Sequence, residues 1–460
     1  MKSPKLRTAP SPPDICQAHL NALSAAAFAL AVGLVTLAPT AVAAAKPSKT
    51  DIAAQEKAAS HAKAIAKTAD HSHLEGVLIL SRHGVRSPLK PISKLNEQTS
   101  ATWPTWNVEP GYLTPRGRKL VVGMGGYYRE RFLDEKLLSG DDAKDVKHTY
   151  VHANVIQRTV QTAAALAEGL HPSTTTTIHR LEPGEHDRLF YGEPIDNAMK
   201  AASFNGRISN DTKTLMKWLR PQLDLIENAI GTKNLFSNNL SGLQLAASMA
   251  DSFMLEYCEG KPMNEVAFGK ADKAQLMEMF KVLATDFDIQ VRTPYVARQR
   301  MSNMVSHITS TMQQIAEGKA VDGAFGKADD KLYIIVGHDT TLSSVAGLLG
   351  LDWVLPDTGR NLCPPHGALV FELRSRSGKD AEKVNGPKHF VRVYYAAETL
   401  TQMHEDAKLS LKNPPAIAPI FVPGASIASK HFDCPLEDFV KVVNQKIDKS
   451  FVVPIEDGKY

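Results

Sequence analysis

The sequence has few cysteines for a chain of 460 residues. One of the four, Cys16, lies in the N-terminal segment, and the others are Cys258, Cys363 and Cys434. No two of them stand at the spacing of a metal-binding motif, which excludes a cysteine-based metal site. Because three is an odd number, at most one disulfide can form among them and at least one thiol stays unpaired. Stability must therefore come mainly from a hydrophobic core.

The chain also lacks an excess of charge of one sign. It carries 53 Lys and Arg residues against 49 Asp and Glu residues, and without residues 1–45 the balance is 50 to 48. Such a near-neutral chain is not expected to bind nucleic acid broadly, so any affinity for anions must be local. Its 43% hydrophobic and 22% charged residues exclude a disordered protein and are typical of a globular one.

Beyond the N-terminal segment, no apolar run is long enough to span a bilayer. The N-terminus itself has the pattern of an export signal: Lys2, Lys5 and Arg7 form a basic start, residues 22–38 are small and apolar, and Ala-rich cleavage sites follow. A membrane anchor is the alternative, but the run is short and Ala-rich. We therefore expect a signal peptide at residues 1–45, and an exported protein, periplasmic or secreted, with no stable membrane insertion after cleavage.

The apolar pattern of the remaining chain predicts an α/β protein with a helical insertion. Residues 46–72 are rich in Ala, Lys and His and predict a solvated linker. Strands and helices alternate over residues 73–197, helix follows helix over residues 198–324, and strands return over residues 325–460. We expect a mostly parallel central sheet with flanking helices, plus an inserted all-α cap domain.

The heptapeptide RHGVRSP, residues 82–88, directly follows the apolar run 76–80. An unbroken apolar run predicts a strand buried on both faces, and ligands of open α/β sheets bind at the carboxyl ends of such strands. His83, between Arg82 and Arg86, is therefore predicted to face an anion. A buried core histidine with two surface arginines is the alternative for a His-Gly pair alone.

A second apolar run, residues 332–336, ends in another polar turn, which contains His338 and Asp339. Neighbouring strands of one sheet would bring the two turns together. Arg158 stands in a third such place, after a short strand and at the start of a helix, where free N–H groups attract anions. Taken alone, Asp339 could be a helix N-cap and Arg158 a surface residue; the combination favours one site.

These residue types suit phosphoryl transfer. Arg82, Arg86 and Arg158 can hold phosphoryl oxygens in forked geometry, and His338 can donate a hydrogen bond to them. A neutral nitrogen of His83 can attack phosphorus and form a phosphohistidine. Asp339 can protonate the leaving oxygen, which favours acidic pH. No metal or other cofactor is needed, since catalysis of this kind is largely positioning and charge compensation.

The RHGVRSP heptapeptide and the pair His338-Asp339 resemble the two signatures of the histidine acid phosphatases, and the likeness is strongest to the bacterial phytases and glucose-1-phosphatases. Further similar stretches are WPTW at residues 103–106, GYLTPRG at 111–117 and PYVAR at 294–298. The resemblance implies a phosphoglycerate-mutase-like α/β domain with a helical cap. It also implies that His83 is the nucleophile and Asp339 the proton donor.

The remaining phosphate-binding residues implied by the resemblance are Arg82, Arg86, Arg158 and His338. Some positions depart from the family pattern or bear on the substrate. Thr341 stands where the family usually has Asn. Leu89 stands where the phytases often have a polar residue, which favours the glucose-1-phosphatase side, whereas Lys90 would suit a polyphosphorylated substrate. Glu259 resembles a cap glutamate of the sugar-phosphate enzymes. Cys434 resembles one half of a family disulfide whose partner region, residues 423–425, has no cysteine.

We therefore expect an exported acid phosphomonoesterase that acts on small phosphomonoesters, with glucose-1-phosphatase-like substrate choice favoured. Phytase specificity for inositol hexakisphosphate is one alternative, and a catalytically weak phosphate-binding scaffold is another. A phosphoglycerate-mutase-like enzyme shares the Arg-His-Gly turn but not its continuation. A monomer and a homodimer are both compatible with the sequence.

Overall fold

The computed structural model describes residues 70–377 and 388–455. Nine strands lie in these ranges: β1 (His73–Arg82), β2 (Thr149–Ala153), β3 (Leu332–Gly337), β4 (Val354–Leu355), β5 (Gly359–Arg360), β6 (Ala368–Ser375), β7 (His389–Ala397), β8 (Ala416–Pro419) and β9 (Cys434–Pro435). Seven of them form one sheet in the order β2-β3-β1-β6-β7-β8, with β9 also paired to β7, while β4 and β5 form a separate hairpin.

The central sheet is mixed, which corrects the expectation of a mostly parallel one. Strand β3 runs parallel to both β1 and β2, but β6, β7, β8 and β9 pair antiparallel to their neighbours. The apolar runs did not reveal this because β6 is as completely buried as β1 and β3. Burial on both faces gives a continuous apolar run in either direction. The α/β class with a helical insertion is confirmed.

Fourteen α-helices lie in the described ranges, and eight of them stand between β2 and β3 in the chain. They are α1 (Ile92–Asn96), α2 (Pro115–Asp134), α3 (Asp142–Asp145), α4 (Gln157–Leu170), α5 (Arg188–Tyr191), α6 (Asn197–Arg207), α7 (Thr212–Trp218), α8 (Arg220–Ile230), α9 (Leu240–Cys258), α10 (Lys273–Gln290), α11 (Pro294–Glu317), α12 (Asp339–Leu349), α13 (Leu400–Glu405) and α14 (Leu436–Lys446). Short 3-10 segments occupy Val146–His148, Val266–Gly269 and Lys449–Phe451.

Three apolar clusters hold these elements together. Alternate residues of β1 point to opposite faces of the sheet, so Val77 and Ile79 pack with α2 and α4, whereas Leu78 and Leu80 pack with α11, α12 and α14. A third cluster lies mainly among α7 to α10 and is built around residues such as Phe253. The sheet is therefore covered by helices on both faces, and the inserted helices have an apolar core of their own.

One close contact fixes the turn that follows β1. A Cβ atom added to Gly117, in the first turn of α2, would lie 2.3 Å from the carbonyl oxygen of Val85. Only glycine leaves room for the two backbones to meet at this point. The contact is held by Thr114, the N-cap of α2, whose backbone N–H donates to Val85 O at 3.0 Å. The turn is thus clamped against a helix end.

The predicted signal peptide, residues 1–45, lies outside the described residues, as does most of the predicted linker. Within that linker, residues 70–72 are described: Asp70 accepts from Arg392, and the hydroxyl of Ser72 accepts from Arg374 at 2.8 Å. Among the helices of the described part, none is both long enough and apolar enough to cross a membrane.

Candidate active site

The two polar turns predicted from the sequence meet at one edge of the sheet. In the parallel pair of β1 and β3, Arg82 lies opposite Gly337, so both strands end at the same level. The backbone N–H of His83 donates to Gly337 O at 3.0 Å, and the ring centroids of His83 and His338 are 5.6 Å apart. Residues that are far apart in the sequence thus lie side by side in one site, as expected from the strand ends.

Two buried arginines of the heptapeptide are held by carboxylates. Arg82 Nη2 lies 3.1 Å from Asp251 Oδ1 and 2.9 Å from Asp339 Oδ2. Arg86 Nη2 lies 2.9 Å from Asp251 Oδ2. Burial opposes the charge of Arg82, but Asp339 and Asp251 outweigh it and raise the pKa of the guanidinium. Arg82 therefore stays charged in a site that is largely shielded from water.

His83 is 2% exposed and has one free ring nitrogen. Its Nδ1 lies 2.9 Å from Gly84 O, and a carbonyl can only accept, so Nδ1 carries the hydrogen and Nε2 keeps its lone pair. Burial, and then the positive charges of Arg82, Arg158 and Arg86, lower the pKa of His83 well below its usual value. The surroundings of His83 thus favour the neutral imidazole.

His338 takes part in a second hydrogen-bond network of the same site. Its Nε2 lies 3.1 Å from Asn154 Oδ1 and 3.4 Å from the hydroxyl of Tyr191, and that hydroxyl donates to Asn154 Oδ1 at 3.0 Å. The Tyr191 ring stacks over the His338 ring. Burial and the nearby arginines lower the pKa of His338 to about 3. These contacts hold a neutral His338 ring beside that of His83.

Arg158 and Leu89 flank the same glycine at the mouth of the site. Arg158 Nη1 donates to Gly111 O at 3.4 Å, and a Cβ added to Gly111 would lie 3.1 Å from Leu89 Cδ2. Burial and the charge of Arg86 lower the pKa of Arg158 to about 10, which still leaves it charged. Leu89 is 59% exposed. Lys90 is also exposed, and its Nζ lies 3.4 Å from Gln98 Oε1.

Two other candidate residues, Thr341 and Glu259, contact the residues that hold the two turns. Thr341 is buried, and its hydroxyl accepts from the backbone N–H of His338 at 3.2 Å, which fixes the turn before α12. Glu259 accepts from the Thr114 hydroxyl at 2.6 Å and so supports the clamp on the heptapeptide. Burial raises the pKa of Glu259. In the structure these contacts place both residues as supports of the two turns.

Sequence reasoning missed three residues that shape the site. Asp251 lies near the middle of α9 among mostly apolar neighbours, and a charge at that place was the available signal. Asn154 follows β2 where the strand meets the site, although only the helix beyond it was considered. Tyr191, at the end of α5, carried no sequence signal at all. The three bind Arg82, Arg86 and His338, as given above.

Outside this site, one group in the described ranges could hold a metal ion. Ligand atoms of His148, Asp329 and Asp330 lie within 4.8 Å of one another. These residues stand at the amino ends of β2 and β3, the edge of the sheet opposite to the site. All three cysteines in the described part, Cys258, Cys363 and Cys434, are buried free thiols.

Histidines and arginines that gather at the carboxyl edge of a mixed, helix-covered sheet define a class of α/β protein whose site carries fixed positive charges. Residues 73–258 and 292–396 match the Histidine phosphatase superfamily (branch 2). The chain therefore belongs to the histidine phosphatase superfamily, and the predicted resemblance to histidine acid phosphatases is confirmed at the level of the family.

Named relatives and solved structures agree with this assignment. The chain is 30% identical to phytase AppA of Escherichia coli (strain K12), over 83% of this chain and 94% of that one. It is 28% identical to a glucose-1-phosphatase of Providencia rettgeri, over 82% and 92% of the two chains. The Hafnia alvei phytase in complex with tartrate superposes with a TM-score of 0.75 at 29% identity, covering 84% of this chain and all of that one.

Proposed function

We propose that the protein is an exported acid phosphomonoesterase that works through a phosphohistidine on His83. The observation that carries this proposal is the state of the His83 ring. Its Nδ1 is committed to Gly84 O, its pKa is depressed, and its Nε2 keeps a lone pair beside three guanidinium groups. A nucleophile must be unprotonated to react, and an anion is drawn to the arginines. The two requirements are met at the same place.

The arginines supply the binding of the phosphoryl group. Arg82, Arg86 and Arg158 surround His83 and give the site an excess of positive charge over Asp251 and Asp339. Charge-assisted hydrogen bonds from guanidinium groups to phosphate are shorter and stronger than neutral ones. They also stabilise the charge that spreads over the equatorial oxygens in the transition state. A phosphomonoester is thereby placed with phosphorus facing His83.

The reaction has two steps, the formation of a phosphohistidine and its hydrolysis. The lone pair of His83 Nε2 forms a bond to phosphorus, the ester P–O bond breaks, and the leaving oxygen takes a proton from the Asp339 carboxyl. Water next attacks phosphorus, the N–P bond breaks with its electron pair returning to Nε2, and the Asp339 carboxylate accepts the proton of the water. Inorganic phosphate leaves. Asp339 must carry a proton when the ester bond breaks, which favours acidic pH.

For the substrate, we favour a sugar monophosphate of the glucose 1-phosphate type. Leu89 is 59% exposed beside Arg158, and Tyr191, in the His338 network, is 36% exposed. Apolar and aromatic surface of this kind can contact the carbon face of a sugar ring, and it offers nothing to additional phosphate groups. The relatives named glucose-1-phosphatase support this choice.

Inositol hexakisphosphate is the second candidate substrate. Lys90 lies one residue beyond Leu89, is exposed, and has its amino group 3.4 Å from the uncharged Gln98. An uncompensated ammonium group at the mouth of the site suits a ligand with several phosphate groups. The phytases among the relatives and the solved structures support this reading.

The domain boundaries belong to the same proposal. Residues 73–197 and 325–460 would form the α/β phosphatase domain, residues 198–324 the helical cap, and residues 1–45 a cleaved export signal followed by a linker to residue 72. The separate apolar cluster of α7 to α10 supports the cap as a unit. Sequencing the N-terminus of the mature protein from a fractionated host tests the signal, with cleavage expected between residues 41 and 46.

One experiment tests the central claim. The protein is mixed with an activated phenyl phosphate labelled at phosphorus and quenched within milliseconds. A label that is stable in alkali and labile in acid is expected on the wild-type chain. H83A is expected to carry no label and to show no turnover. H73A, an exposed histidine at the amino end of β1, is the matched control and is expected to behave as wild type. Unchanged turnover by H83A would overturn the proposal.

A further inference from the structure

A buried histidine and a buried glutamate face each other directly beneath the catalytic turn. His366 is 2% exposed and Glu398 is 1% exposed, and His366 Nε2 lies 3.4 Å from Glu398 Oε1. The mechanism given above uses neither of them, and burial of two ionisable groups is costly unless each compensates the other.

The sheet places the two residues opposite each other. In the antiparallel pair of β6 and β7, Ala368 lies opposite Ala396. Continuing the same register by two residues brings His366, just before β6, opposite Glu398, just after β7. Side chains at directly opposed positions point to the same side and meet. The pair is thus built into the ladder at the edge that carries the active site.

The backbone of residues 363–367 connects this pair to the catalytic turn. His366 N–H donates to His83 O at 2.9 Å, and Gly367 O accepts from Arg82 N–H at 2.9 Å. Cys363 O accepts from Arg82 Nη1. Three hydrogen bonds from one short loop therefore fix both the nucleophile and its neighbouring arginine. Any shift of the loop moves the two groups together.

The backbone of the loop 363–367 is strained at His366. His366 has φ +45°, in the left-handed region that non-glycine residues avoid. Among the residues that the structure describes, neither ring nitrogen of His366 has a hydrogen-bond partner, and the same is true of Glu398 Oε2. The approach to Glu398, at 3.4 Å and without hydrogen-bond geometry, is therefore the polar contact of the ring. A residue in this backbone region persists where the surrounding structure holds it there.

Other charged or titratable groups near the pair do not replace it. Cys258 is close enough for the charge of Glu398 to raise the pKa of its thiol, but burial is the larger cause. The thiol therefore stays neutral and brings no charge to the pair. Arg82, across the loop, is already bound by Asp339 and Asp251. His366 and Glu398 depend on each other.

We propose that His366 and Glu398 form a positioning pair, which holds the loop 363–367 against the turn and so sets the placement of Arg82 and His83 for phosphoryl transfer. The proposal rests on the proposed role of His83. A displacement of about 1 Å at a reacting group can cost on the order of a hundredfold in rate. The pair acts through the two residues it positions and makes no contact with substrate.

The test compares H366G, E398Q and the double variant by kcat, KM and thermal unfolding. H366G removes the ring and relieves the backbone strain, while E398Q keeps the shape and removes the charge. Each single variant is expected to lower kcat by about ten- to a hundredfold, with a smaller change in KM. The double variant is expected to lose no more than the worse single one, because the pair works as a unit.

A matched control separates positioning from stability. Glu372 is fully buried in β6, lies away from the catalytic edge, and bonds to Arg374 at 2.8 Å. E372Q is expected to lower the melting temperature while kcat per folded molecule stays at the wild-type value. If H366G and E398Q behave as E372Q does, the pair is only structural and the proposal fails. If H366G does not accumulate as folded protein, H366N replaces it in the comparison, because Asn tolerates positive φ.

The variants distinguish a failure of the positioning pair from a failure of the proposed role of His83. If H83A retains turnover, the role of His83 is wrong whatever the pair variants do. If H83A is inactive while H366G and E398Q both turn over as wild type, only the positioning pair is overturned.

Discussion

Arg82 Nη2 lies 2.9 Å from Asp339 Oδ2, so the arginine expected to bind phosphate is already paired with the group expected to donate the proton. A phosphate oxygen that binds Arg82 competes with this carboxylate. Binding of substrate would thereby free Asp339 to turn toward the leaving oxygen. Asp251 remains on the other side of Arg82 and keeps the guanidinium in place during the exchange.

The proton-donor role predicts a dependence on the leaving group. D339N is expected to slow hydrolysis of an alkyl phosphate by about 10²- to 10⁴-fold, the usual worth of general acid catalysis. Hydrolysis of an activated aryl phosphate is expected to fall far less, because a phenolate leaves without protonation. The measurement is kcat on both esters, with D406N at a partly exposed site as control. An equal loss on the two esters would contradict the assignment.

Removal of Asp251 is predicted to leave two buried arginines short of a counter-charge. D251N is expected to lower the free energy of unfolding by about 1–3 kcal/mol in buffer without multivalent anions. Inorganic phosphate is expected to raise the melting temperature of D251N by more than that of the wild type, because it supplies the missing negative charge. Thermal unfolding with and without phosphate checks this. The same phosphate shift in both proteins would show that Asp251 does not neutralise the site.

The depressed pKa of His338 predicts how stability depends on pH. The group titrates near 6.5 in the unfolded chain and near 3 in the folded one, so unfolding takes up a proton between these values. The folded state therefore loses stability as the pH falls from about 6.5 toward 3. H338Q is expected to reduce that slope by up to about 1.4 kcal/mol per pH unit. Denaturant unfolding across this range checks it; parallel curves for the two proteins would contradict the prediction.

Leu89 and Lys90 are predicted to set the choice between substrates. K90A is expected to lower kcat/KM for inositol hexakisphosphate about two- to fivefold, and to leave glucose 1-phosphate unaffected, since one exposed charge contributes modestly. L89T is expected to weaken the use of glucose 1-phosphate. The ratio of the two kcat/KM values is the measurement, and K94A, an exposed lysine in α1, is the control. Equal effects of K90A on both substrates would remove Lys90 from the specificity argument.

Metal removal is predicted to leave activity unchanged, because each step above is carried by side chains of the chain itself. Dialysis against a chelator, followed by assay in metal-free buffer, is the measurement. The group of His148, Asp329 and Asp330 lies at the opposite edge of the sheet, so H148A tells a stability effect from a catalytic one. A chelator that abolishes turnover in the wild type and in H148A alike would show that the mechanism is wrong.

The sequence alone was sufficient to predict which residues of the site lie at the ends of strands. His83, Arg82, Arg86 and Asp339 follow apolar runs, and the parallel register of β1 and β3 brings them together as expected. Asp251 could not be placed in this way. It reaches the arginines from the middle of a helix, and helical periodicity describes the apolar face without saying what a single polar residue meets.

Two further features depend on contacts that no local pattern encodes. The direction of β6 was missed because burial on both faces looks the same in parallel and antiparallel strands. His366 and Glu398 face each other through a register that only the folded ladder defines. His366 would have been given an ordinary backbone conformation, since nothing in the residues around it requires a left-handed one.

The pairing of Arg82 with Gly337 has a consequence for how the chain folds. The partners are about 250 residues apart, so β1 emerges long before β3 exists. Until then β1 is an apolar strand with open edges, which is prone to pair with other chains. Contacts of such long sequence separation also slow folding. Holding the chain unfolded until its last third has been made would therefore protect it, and the yield of active protein should depend on that delay more than on final stability.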